Sequence, residues 1–158
     1  MIKLFATLLS LAAVTGSAHA AEFSCDIANK GRRVTLTQSG QTVSYAYGKQ
    51  GAAPELALTV PVSAVELYAW EGMGRHQTYS IGIPNGQYLY TVYSSMDSLE
   101  HATSAGVTIE KGGKYLAELL CDPNTVSGEM ETIVLDLKAR EAGKKLIQHH
   151  EKNLPGRP

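Results

Sequence analysis

Cysteine is scarce in this chain: Cys25 and Cys121 are the only two among 158 residues. Neither stands in a C-x-x-C and neither has a histidine close by in sequence, which argues against a redox pair or a metal site. Long apolar runs are scarcer still. Beyond the first twenty residues no stretch approaches the roughly 20 apolar residues that a membrane span requires, so none is expected. An excess of one charge is also missing, since 14 Lys+Arg face 15 Asp+Glu. No basic run exceeds a doublet such as Lys144-Lys145, too little to neutralise a phosphate backbone, so no nucleic-acid partner is expected. The chain carries no G-x-S-x-G, no phosphate-cradling glycine loop and no H-E-x-x-H, and with them goes any ground for expecting a catalytic residue, a cofactor or a metal.

What is present begins with a leader. Lys3 precedes an apolar run from Leu4 to Val14, and Ala18-His19-Ala20 has the A-x-A form of a cleavage site, so residues 1–20 are expected to be a secretory signal peptide. Removing 20 of 158 residues leaves 138, the size of one domain, with a formal charge of −2 because the leader holds one lysine and no acid. Cys25 follows Glu22-Phe23-Ser24 and not the small-residue box of a lipidated cysteine, so no lipid anchor is expected. Export delivers both cysteines to an oxidising compartment, periplasmic or extracellular, where they are expected to pair. On the chain-entropy account a bridge closing so long a loop contributes about 4 to 5 kcal/mol.

Tyr45 to Leu58 is the centre of the pattern. Val43, Tyr45 and Tyr47 alternate with Thr42, Ser44 and Ala46; Gly48 and Gly51 suit a reversal, Pro54 suits a strand start, and Leu56, Leu58 and Val60 begin the next strand. Similar alternation marks Gly31 to Gln38, Ala64 to Trp70, Gln77 to Ile83, Gln87 to Ser94, Val107 to Glu110 and Lys114 to Cys121. Ser39-Gly40, Pro84-Asn85-Gly86 and Lys111-Gly112-Gly113 supply the turns between them. The reading is an all-β domain of about seven or eight antiparallel strands, barrel or sandwich. After Asp122-Pro123-Asn124, Met130, Ile133, Val134 and Leu137 recur at helical spacing, with Glu129 and Glu131 at the start and Gly143 as a stop. A C-terminal helix is expected there, the competing reading being a last strand over Thr132 to Leu137. The domain then spans residues 21–143, and residues 144–158 form a disordered tail.

The sequence Tyr-x-Tyr-Gly followed by Pro-Glu-Leu, set between two cysteines, resembles a motif of uncharacterised secreted bacterial β proteins over roughly Cys25 to Cys121. More distantly, the chain resembles the small cysteine-closed β-barrel inhibitors of c-type lysozyme. Those likenesses imply an exported β fold and transfer no active site. The Ser-Gly-rich loop with which the inhibitor family enters its target has no counterpart here.

Function therefore rests on surfaces. A stable scaffold with recognition loops points to an envelope binding protein of inhibitor or immunity type, its partner an envelope or secreted protein, or a glycan. The least constrained loops are Glu71 to Gln77 and Ser95 to Gly106, and the contact surface expected from them consists of Trp70, Met73, Arg75, His76 and Tyr93. The alternative is an envelope hydrolase using Asp97, Glu100 and His101, which cluster in the second loop. His149, His150 and Glu151 have the composition of a metal site but lie in the expected tail, with nothing to orient the imidazoles. All eight tyrosines fall between Tyr45 and Tyr115. They are expected mostly to pack the core and the sheet rim, the other reading being that Tyr68, Trp70 and the tyrosines of the Gln87 strand form a platform for a sugar or a protein.

Overall fold

The computed structural model describes residues 20–152, with side chains described as far as Glu141. Strands β1 (Ala21–Ile27), β2 (Arg32–Ser39), β3 (Thr42–Lys49) and β4 (Leu56–Pro61) form one antiparallel meander. Strands β5 (Glu66–Ala69), β6 (His76–Asn85), β7 (Tyr88–Asp97), β8 (Thr103–Lys111) and β9 (Lys114–Leu120) form a second. A 3-10 turn at Val62–Ala64 carries the chain from one sheet to the other. The sheets are not closed into a barrel, so of the two architectures the sequence leaves open, the sandwich is found. Nine strands are present because β1 also pairs along its whole length with β2.

Alternation decides which side of each strand is dry. Val34, Leu36, Val43 and Tyr45 of the first sheet face Ile81, Ile83, Val92 and Val107 of the second, all essentially buried, and the Tyr45 and Tyr90 rings stack across the interior at 5.7 Å. Tyr45 stays protonated well above the ordinary tyrosine range, because burial disfavours its charged form. The β3–β4 hairpin sits where the sequence places it, with Tyr45 opposite Leu58. Gly51 takes a positive φ of 75° there, whereas Gly48 is needed for closeness: a Cβ on it would lie 2.8 Å from the Glu55 nitrogen, which donates to the Tyr47 carbonyl at 2.8 Å.

One side of the sandwich is stitched. Cys25 of β1 is bonded to Cys121 just after β9, and the chain beyond Cys121 runs back along β1. Four backbone bonds hold this seam: Ser24 and Ser127 exchange a pair, Asp122 donates to Asp26, and Ala28 donates to Leu120. The Asp26 amide adds a bond to the Thr125 hydroxyl at 2.9 Å. Gly128 leaves the seam at φ 86°, so tightly that a Cβ would collide with the Glu22 carbonyl.

Helix α1 (Met130–Lys152) follows, so the last-strand reading of Thr132 to Leu137 gives way. Met130, Ile133, Val134 and Leu137 are each no more than 3% exposed, and the helix packs on β1, β5, β6 and β7. It also continues through Gly143, where the sequence suggested a stop and a disordered tail from Lys144. A helical glycine costs only about 1 kcal/mol relative to alanine, and the neighbours Ala142, Lys144, Lys145 and Leu146 are all good helix formers. The side chains of His149, His150 and Glu151, the last six residues and residues 1–19, where a signal peptide is expected, lie outside the described residues.

Candidate functional site

Two loops meet at one end of the five-stranded sheet. The first, between β5 and β6, runs from Trp70 to Arg75; the second, between β7 and β8, is only Ser98 to Ala102. The sequence suggested a far longer second loop, Ser95 to Gly106, but β7 continues to Asp97 and β8 begins at Thr103, with Met96 paired to Thr103. Ser94, Ser95 and Met96 are weak strand formers that the ladder on both sides holds extended.

Arg75 ties the loops together. Its Nε donates to Asp97 Oδ1 at 2.8 Å, and one terminal nitrogen reaches both Asp97 Oδ2 and Glu100 Oε1 at 2.7 Å. The Arg75 carbonyl accepts from the Ser98 amide at 2.9 Å and from its hydroxyl at 2.7 Å. On the far side of the first loop the Trp70 indole N–H donates to the Met73 carbonyl at 2.7 Å. Gly72 and Gly74 flank Met73 with φ of 85° and 90°, which lets the backbone turn sharply on either side of it. Met73 consequently stands 81% exposed at the tip, and Leu99 of the second loop is 73% exposed.

The carboxylate of Asp97 also accepts from the Leu99 and Glu100 amides, at 2.9 and 3.2 Å. Arg75 above all, and then those amides, hold its carboxyl well below the usual carboxylate range, while Asp97 and Glu100 raise the Arg75 guanidinium further. An acid this fully engaged is suited to closing a loop and poorly suited to exchanging protons with a substrate. His101 belongs to the same turn, with φ 53° and its amide donating to the Asp97 carbonyl at 2.8 Å.

Of the residues singled out from the sequence, Trp70, Met73, Arg75 and His76 do come together, His76 being the cross-strand partner of Asp97. Tyr93 stands apart. It lies four residues back along β7, about 13 Å at strand rise, between Ser80 and Gly106, and its hydroxyl donates to Glu118 at 2.6 Å. Burial, followed by that bond, keeps the phenol protonated above the ordinary range. Leu99 was missed; the only signal was one leucine in the polar run Asp97-Ser98-Leu99-Glu100-His101.

Directly under the tip, on the inner side of the same sheet end, is a cleft of about 420 Å³. Gln77, Tyr79 and Met96 form one wall, and residues Gly128 to Glu131, leading into the helix, form the other. Its carboxylates are engaged: Tyr79 donates to Glu131 and Thr132 donates to Glu129, both at 2.8 Å. No cluster of His, Cys, Asp and Glu among the described residues is arranged to hold a metal ion. Comparison with known proteins gives no matching family model, no matching curated protein and no matching solved structure.

Proposed function

We propose that this protein is an exported cell-envelope binding protein of inhibitor or immunity type, and that the paired loops 70–75 and 98–102 are the part that enters a protein partner. The observation that carries this reading is Met73, an apolar side chain held almost wholly in solvent by a backbone fixed from both sides. Ordering a flexible loop costs binding energy at the moment of association, and a loop already tied by Arg75 and Trp70 avoids most of that cost. Methionine, unbranched and polarizable, adapts to an apolar recess, while Arg75, His76 and Glu100 around it form the polar rim of such a contact. Supporting export are the Cys25–Cys121 bond and the leader pattern; no helix among the described residues is long and apolar enough to cross a membrane.

Capture of envelope proteins on the immobilised full chain, compared with Met73→Ala/Leu99→Ala, tests the assignment. The variant should lose its partner while keeping its thermal transition; undiminished capture of the same partner would remove the tip from consideration. The hydrolase alternative has less support, because Asp97 and Glu100 are occupied by Arg75 and by loop amides.

A further inference from the structure

The outer face of the five-stranded sheet is the side turned away from the first sheet. Register places two rows of side chains across it. Tyr68, Ser80, Tyr93 and Gly106 are successive cross-strand neighbours, and so, one step along, are Glu66, Gly82, Thr91 and Thr108. Strands lie about 4.8 Å apart, so Tyr68 and Tyr93 flank Ser80 with roughly 10 Å between their backbones. Tyr93 does not fill this gap. Its ring tips away over Gly106, whose missing Cβ would lie 3.0 Å from the phenol oxygen and 3.1 Å from Cε1, and Glu118 holds it there by its hydroxyl. What remains over β6 is a shallow depression of about 140 Å³, lined by Glu66, Leu67, Tyr68, Ser80, Gly82 and Thr91.

Several hydroxyls on this face are occupied by protein groups: Thr78 and Ser95 share a hydrogen bond at 2.8 Å, and Tyr93 bonds to the Glu118 carboxylate. Among the described residues, the Glu66 carboxylate and the hydroxyls of Tyr68, Ser80 and Thr91 have no such partner. Gly82 keeps the floor low, since a Cβ there would press within 3.2 Å of both Glu66 Cβ and Leu89 Cδ1. Tyr68, 55% exposed, supplies an aromatic ring at the edge.

We propose that this depression binds one ring of an uncharged saccharide. A pyranose has an apolar C–H face that packs on an aromatic ring, and a periphery of hydroxyls that both donate and accept. The site offers that complement: a phenol ring, a carboxylate that accepts from two adjacent hydroxyls, and serine, threonine and tyrosine hydroxyls that do either. No lysine or arginine lines it, which sets it apart from an anion site. The competing chemistry is an organic cation on Glu66 and Tyr68, and the experiment separates the two.

The test is an amide chemical-shift titration of the full chain with N-acetylglucosamine hexasaccharide, cellohexaose, maltohexaose and choline, each to about 10 mM. At least one hexasaccharide should move the amides of residues 66–68, 80–82 and 91 and leave those of 70–75 in place. Tyr68→Ala should raise its Kd at least about tenfold, while Thr91→Val, which keeps the strand, and Glu66→Gln, which removes one acceptor oxygen, should each raise it severalfold. Silence of all three hexasaccharides at those amides would overturn the proposal. So would shifts that persist in both the Tyr68 and Thr91 variants, or a response to choline alone.

Discussion

The seam and the tip each join stretches of chain that are distant in sequence, and they do so by opposite means. At the seam a disulfide between two buried cysteines is backed by four backbone bonds and by a glycine that no other residue could replace without collision. At the tip one guanidinium, 44% exposed, grips two carboxylates while the apolar residue beside it is left in water. The seam's disulfide is buried and its bonds hold two whole sheets together, so they belong to global stability. The tip's bonds are exposed and hold a dozen residues, so they set local shape.

The sharpest way to break the contrast is at the seam. Cys25→Ala/Cys121→Ala should lower unfolding free energy by about 3 to 5 kcal/mol, read from urea midpoints under oxidising conditions. A loss below about 1 kcal/mol would mean that the backbone bonds alone carry the seam. Gly128→Ala should come next, at about 2 to 3 kcal/mol, since it combines a left-handed φ with a collision against Glu22.

Arg75→Ala should have the smallest global effect and the largest local one. The thermal transition should hardly move, while amide exchange in residues 70–75 and 98–102 accelerates by at least about tenfold. Acid gives the same result without mutation, and the sign follows from Asp97. Its folded pKa lies below its unfolded value, so its contribution is present above the ordinary carboxylate pKa of about 4 and is lost only as pH falls through the depressed one. Slow exchange at the tip should therefore survive at pH 4; loosening there would contradict the tie described.

Much of the scaffold was legible because its signals are local. The Val34/Leu36 and Val43/Tyr45 alternation, the turn glycines and the Met130 to Leu137 stripe each report on a few consecutive residues. Strand β1 escaped although Phe23, Cys25 and Ile27 alternate with Ser24 and Asp26, and the partner that buries the edge at Ser24 is Ser127, about a hundred residues away in the chain. The tip was half legible for a related reason. Glycines on either side of Met73 mark a loop from sequence alone, but its rigidity depends on the register that sets His76 against Asp97 and so brings Arg75 to Asp97 and Glu100. A sequence without its pairing partners reads such a segment as free. Tyr93 was placed in the wrong neighbourhood because its direction is set by the space above Gly106, which only the neighbouring strand supplies.

Every named strand pairs with the strand before or after it in the chain, and the seam alone departs from this order. Seen as a string, the first strand and the stretch after the last strand are latched to each other, and the run of paired neighbours between them is broken only from β4 to β5, where the chain changes sheet. A cut through any surface turn would sever one connection and leave the latch fastened. Removing either half of the latch has a different result: without β1 the segment from Cys121 to Ser127 has nothing to lie along, and without that segment the outer side of β1 is bare. The first strand is thus hard to dispense with, although it lies near the start of the chain, where most domains tolerate change best.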